Sequence, residues 1–445
     1  MVIRHIPERP DLSYHLIHYD KNGDELPEGT DKLGSTAARS ALAAPGSGIT
    51  DVFLLSHGWN SDVEGAMQQY DAWLTMSRET RPSNLGRPFS PLIIGVHWPS
   101  KAWGDDTIIS TDPVGLLGGE ATPTGVITVE DAVDMYSTML VDSLDTRDAL
   151  GAIFDAAADP GGHAAMTDTV RRAYLILYRE LHLEEARNED PIPAAAWDPA
   201  KAFEQALEDT DKESGLLSGD SIFDRVRDAI LAPLRQLSFW TMKARALTFG
   251  ENGAAKLLRD LQNETDESVR FHLMGHSFGS IVVSAAVAGT DGITSVRPVS
   301  SLFLVQGALS LWAYAGTVPE EANPGHFHRI IQEEIVRGPI VTTRSTYDYA
   351  VGRFYPLGAG IAGEVLLGDL PRYGGLGAFG IQGVKGAHDV AIGDETTNYG
   401  LKPGGIYNID ASSVISKVSG PGGAHSDITH PATAALAWQA ALAMP

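Results

Sequence analysis

Residues 269–288 read VRFHLMGHSFGSIVVSAAVA. The first six are a short, largely apolar run with the length of a buried strand. Gly275-His276-Ser277-Phe278-Gly279 then fits the Gly-x-Ser-x-Gly pattern, and residues 279–288 continue with the small and apolar side chains of a helix that packs close to that strand. Small flanking residues allow a sharp strand-to-helix turn that pushes the serine hydroxyl outward. The five-residue string alone is weak evidence, because a chain with 47 glycines meets it by chance easily. The strand before it and the helix after it carry the reading of Ser277 as a nucleophile.

Working outward, residues 49–56 (ITDVFLLS) and 91–98 (PLIIGVHW) have the β-branched, apolar character of parallel strands buried on both faces. Residues 62–77 between them read as a helix. Downstream of the serine, strands are expected at 299–305, 339–346 and 406–415, and a final Ala-rich helix at 430–444. A helix at 253–261 precedes the serine strand. At the start of the chain, alternation over residues 12–19 followed by Asn22-Gly23 predicts a hairpin turning at that pair. Strands alternating with helices argue for an α/β fold with a mostly parallel central sheet flanked by helices. The alternation is interrupted once. From 104 to 247 a Gly/Thr/Asp/Pro-rich stretch leads into amphipathic helices, for instance Val170, Ala173, Tyr174, Leu177, Tyr178 and Leu181 at helical spacing. The expected organisation is a core of 1–103 and 248–445 with a mostly helical cap or insertion at 104–247. Residues 356–405 are glycine-rich and weakly periodic, too long for an ordinary connection, which is typical of a functional loop such as a lid.

Composition removes several functions. Lysine plus arginine number 33 against 57 aspartate plus glutamate, a net charge of −24, which repels phosphate backbones and argues against nucleic-acid partners. With no cysteine there is no thiolate nucleophile, disulfide framework or cysteine zinc site. No stretch reaches the roughly 18 to 20 apolar residues of a membrane span. The first eleven residues, MVIRHIPERPD, lack the apolar segment and cleavage site of a secretory signal, so a cytoplasmic location is expected unless a leader was trimmed.

A serine at neutral pH needs a base, and in this order of elements the base follows the last strand. His425, in GGAHSDITHP, occupies that place; His430 reads better as the start of the terminal helix, and His388 precedes the last strand. The carboxylate that orients the base is expected between serine and histidine, and Asp348, just beyond the 339–346 strand, fits best. Asp369, Asp389, Asp394 and Asp410 are its rivals. Oxyanion donors are expected from the backbone amides of Phe278, next to the serine, and Trp59, in the His57-Gly58-Trp59 turn after the first parallel strand. The plainer reading of that turn is an ordinary loop in which His57 supplies local hydrogen bonds. His326-Phe327-His328 reads as a surface loop and not as a metal site. Trp98, Trp103 and Trp240 read as core.

On HGW, GHSFG, the Asp348 strand and the HSDI histidine, in that order, the chain resembles the α/β-hydrolase superfamily of serine esterases and lipases. The resemblance covers about residues 49–100 and 250 to the C-terminus. It implies a Ser-His-Asp triad, an oxyanion hole of two backbone amides, no metal or other cofactor, and a small-molecule or lipid-like acyl ester as substrate. Amidase, thioesterase and acyltransferase chemistry on the same triad remain alternatives, as does a non-catalytic binding protein built on the scaffold.

Overall fold

A computed structural model describes residues 3–27, 33–101, 128–159, 165–183, 197–213, 222–290, 292, 294–319, 323–354, 366–367, 370–419 and 422–444. The strands are β1 (Ile3–Ile6), β2 (Arg9–His18), β3 (Asp51–Ser56), β4 (Pro91–His97), β5 (Arg270–His276), β6 (Ser301–Val305), β7 (Ile340–Arg344), β8 (Leu366–Leu367), β9 (Leu370–Pro371), β10 (Ala387–Ala391) and β11 (Ile406–Asp410). Apart from a small β8–β9 pair, they form one nine-stranded sheet in the order β1-β2-β4-β3-β5-β6-β7-β11-β10. Within it β1 pairs with β2 antiparallel, and the remaining pairings are parallel.

The central strands are apolar on both faces because helices cover both. Side chains alternate across β3: Val52 and Leu54 join one core, Leu55 the other. The first core holds α1 (Gly34–Ala43), α8 (Ala255–Asn263), α9 (Gly279–Ala288) and α10 (His328–Gln332); the second holds α2 (Val63–Glu79) and the last helix, α12 (Pro431–Leu442). Residues of α3 (Val129–Met139), α4 (Leu144–Ala158), α5 (Asp168–Glu180), α6 (Pro199–Glu213) and α7 (Ile222–Phe249) enter the first core as well. The described part of the 104–247 stretch is therefore helical and shares one apolar interior with the sheet. Its expected end at 247 lies inside a continuous helical run, since α7 passes through a π-helical turn at Gly250–Ala254 directly into α8. Among the described residues, no helix is long and apolar enough to cross a membrane.

Three expectations are corrected. The opening hairpin is β1–β2, turning at residues 7–8; Asn22-Gly23 makes a later tight turn, closed by the Tyr19–Glu25 bridge, in which Asp20 accepts the Asn22 and Asp24 amides. Residues 370–405 are not one loose connection. They contain a short helix, α11 (Leu376–Phe379), packed beside β7, and the edge strand β10, whose largely exposed AHDVA side chains carry no apolar run by which to recognise it. The last strand stops at Asp410, where the Asp410 side chain accepts the Ser412 amide and turns the chain.

Candidate functional site

The carboxyl ends of β3, β4, β5, β6 and β7 converge, the edge at which open α/β sheets place ligands. At the end of β5 the backbone turns abruptly into α9. Ser277 sits at this corner with φ +55, a left-handed conformation that costs a non-glycine residue about 1–2 kcal/mol. Neighbouring chains leave no room for side chains beside it: a Cβ at Gly279 would lie 2.5 Å from the Ser56 and His57 carbonyl oxygens, and one at Gly275 would meet the Gly279 carbonyl. The turn is held by the Ser277 amide donating to Val305 O (3.2 Å), and by Ala308 and Ser280 amides donating back to Ser277 O.

Asp348 lies four residues past β7, with its amide bonded to Ser345 O. It is 1% exposed. One carboxylate oxygen, Oδ1, accepts the Val351 amide; the other, Oδ2, accepts His425 Nδ1–H at 2.8 Å. His425 reaches it because its loop docks on the chain around the acid. Ala424 and Ala350 amides bond to Tyr347 O and Gly422 O, and Asp348 bridges Gly423. That docking requires glycine at 423, where φ is +68 and a Cβ would sit 2.2 Å from Tyr347 O. With Nδ1–H given to the acid, His425 Nε2 is left as a bare lone pair, and it is buried without a partner. The Ser277–His425 hydrogen bond is not made in this conformation; such bonds are often long before a substrate arrives. The His425 loop nevertheless borders the serine turn, because the ring of His276, the residue before Ser277, lies 5.0 Å from the His425 ring between centroids.

The His57-Gly58-Trp59 turn abuts the same corner: a Cβ on Gly58 would lie 2.7 Å from Ser277 Cβ. The Trp59 and Phe278 rings pack at a tilt of 30° with centroids 5.6 Å apart, and the amides of both donate to no group among the described residues. His57 also fulfils the plainer expectation. Its Nδ1–H donates to Gly58 O (2.8 Å), its Nε2 accepts the Trp98 amide (3.3 Å), and its ring stacks on Trp98. Beneath it, the Tyr70 hydroxyl accepts the His57 amide and bonds to Val96 O, tying α2 to β3 and β4. Burial pushes the His57 imidazolium down to about 3, with His97 adding to the effect, so the loop lock is neutral at physiological pH. Phe239 of α7 packs edge-on against both Trp59 and Phe278, bringing the helical insertion to this corner.

The rivals lie elsewhere. His430 caps α12 and contacts Asp427; His388 stacks on Tyr407 on the sheet edge. Asp389 is exposed, Asp394 organises its own turn, and Asp410 pairs with Arg344. Asp369 and Trp103 lie outside the described residues. His326 faces Glu251 and His328 faces Tyr314 O, and among the described residues no group of three His, Asp or Glu could hold a metal ion.

One residue of this cluster has no sequence signal. Gln306, directly after β6, has φ +45, is fully buried, and donates Nε2–H to Asp348 Oδ2 (2.8 Å) and Gly377 O (3.0 Å). Only its place at the carboxyl end of a strand could have marked it. Compared with known proteins, the chain matches no family model, no curated protein and no solved structure.

Proposed function

We propose that the protein is a serine hydrolase of the α/β-hydrolase type that cleaves a carboxylic ester, with Ser277 as nucleophile, His425 as base and Asp348 as the acid that orients it. The observation that carries this reading is the buried Asp348–His425 hydrogen bond, which leaves His425 Nε2 as a bare lone pair on a loop tied by His276 to the left-handed strand-to-helix turn at Ser277. In the first step Ser277 Oγ bonds to the acyl carbon as its proton passes to His425 Nε2. The resulting oxyanion is met by the Trp59 and Phe278 amides, which no other described group uses. Collapse of the intermediate expels the alcohol, which takes the proton from Nε2, and leaves an acyl-serine. Water then attacks the acyl carbon with His425 again as base, releasing the acid and restoring the serine. Asp348 stays ionised and stabilises the imidazolium that forms in each step.

The test is covalent labelling of the intact protein with a fluorophosphonate, peptide mapping of the adduct, and a panel of p-nitrophenyl esters. Labelling at Ser277 alone is expected, with ester turnover that disappears in Ser277→Ala. Folded protein that stays unlabelled, or a Ser277→Ala variant that still turns over esters, would remove the assignment.

A further inference from the structure

His276 stands between the three segments that make up the proposed site. Its ring, 6% exposed, packs against the His425 ring at a tilt of 35°, and its Nε2–H donates to the main-chain oxygen of His425 at 3.1 Å. Among the described residues that oxygen accepts no other hydrogen bond. With the proton on Nε2, Nδ1 is a bare acceptor; it is buried, has no partner, and lies 3.0 Å from where a Cβ on Gly58 would be. Burial, with the neighbouring His425 adding to its effect, lowers the His276 pKa to about 3, so the ring is uncharged at neutral pH. It therefore places no positive charge beside His425 and does not compete as a base.

The His425 loop is held on its acid side by the Gly423–Asp348 bridge and by the Nδ1–Oδ2 bond. On the serine side its main chain is held by His276, which belongs to the nucleophile turn itself. We infer that His276 is a positioning residue: through its bond to the His425 carbonyl it ties the base loop to the serine turn and fixes where the His425 ring stands relative to that turn. Its effect on turnover rests on the serine-hydrolase reading, whereas the hydrogen bond stands independently of it. A misplacement of the base by an ångström can lower turnover by roughly 100-fold without touching substrate binding.

Three substitutions separate the donor from the packing. Phe keeps a buried ring without the N–H; Gln can set its amide N–H near the place of Nε2; Asn, whose amide ends near Nδ1, is polar but too short. Each full-length variant is measured for kcat and KM on a p-nitrophenyl ester, for its melting temperature, and for the low-field proton NMR signal of His425 Nδ1–H bonded to Asp348. His276→Phe and His276→Asn are expected to lose between about 10- and 100-fold in kcat with KM within about twofold, and to broaden the proton signal. His276→Gln is expected to recover both. Should the Phe variant fail to fold, the contrast between Gln and Asn decides. Wild-type kcat and a sharp signal in the Phe or Asn variant would overturn the inference, and so would a Gln variant as impaired as Asn at a native melting temperature. If the wild-type protein shows no reaction at Ser277, the hydrolase reading falls, and the proton signal across the same variants still decides whether His276 holds His425.

Discussion

Gln306 Nε2 lies 2.8 Å from Asp348 Oδ2, the same oxygen that accepts His425 Nδ1–H. The amide and the imidazole thus grip one carboxylate oxygen from two sides, while Oδ1 takes the Val351 amide. Replacing Gln306 with leucine removes a hydrogen bond to a charged group inside the protein, where such bonds contribute about 1.5–3 kcal/mol. The expected result is a loss of roughly tenfold in kcat/KM and a lower urea midpoint. A Leu variant with native kcat/KM and midpoint would reduce Gln306 to filler.

Ser277 carries its left-handed strain whether or not it reacts. Glycine adopts φ +55 without a Cβ penalty, so Ser277→Gly is expected to be inactive yet more stable than the native protein by about 1 kcal/mol, with Ser277→Ala close to native. Urea denaturation of the three proteins measures this. Equal midpoints for Gly and Ala would mean that the turn stores no strain.

Gly58 touches the serine through space that a methyl group would occupy. In Gly58→Ala the new Cβ would fall 2.7 Å from Ser277 Cβ, so the turn and the serine must move apart. A fall in kcat of about 100-fold is expected with the circular dichroism unchanged, because the loop would shift the Trp59 amide away from the place of the proposed oxyanion. Native kcat in this variant would exclude Trp59 as a donor.

Several histidines are buried in the neutral form, and this sets the acid stability. Burial lowers His57 and His276 to about 3 and His97 to about 4 in the folded chain. An unfolded chain binds those protons from about pH 6.5 downward while the folded chain does not, so unfolding becomes easier as pH falls. Each of the three groups destabilises the fold progressively as pH falls below about 6, until the folded-state values are reached. Asp51 acts in the same direction at lower pH: burial alone would raise its pKa, but hydrogen bonds from His272, Arg87 and Thr50 outweigh it and hold the carboxyl below the usual range. The stability this depressed acid supplies is lost as pH drops below about 4. Urea midpoints at pH 7, 6 and 5 should therefore fall steeply; a constant midpoint across that range would contradict neutral burial of these rings.

Much of this architecture is legible locally. The elbow, the apolar runs at β3, β4 and β5, and the 279–288 helix announce themselves because parallel central strands need apolar faces on both sides and a tight βα turn needs small residues. His425 and Asp348 could be singled out by order along the chain, since each follows a strand end. The edge strand β10 has no apolar signature because its side chains are exposed, and Asn22-Gly23 is a misleading hairpin signal because β2 is met beyond that turn only by the single Tyr19–Glu25 bridge. The roles of Gln306 and of the double contact of His276 are not legible locally, as they are defined by partners 42 and 149 residues away.

What the sequence determined alone is the chemistry available: no thiol, a serine on a turn that glycines permit, a histidine and a carboxylate at strand ends, and an acidic surface. Local propensity and side-chain size suffice for these. Which carboxylate meets which imidazole, which lone pair is left bare, and which loop closes against the serine were decided only when the sheet brought distant strand ends to one edge. Hydrogen bonds of about 3 Å depend on positions in space, and separation along the chain carries no information about them.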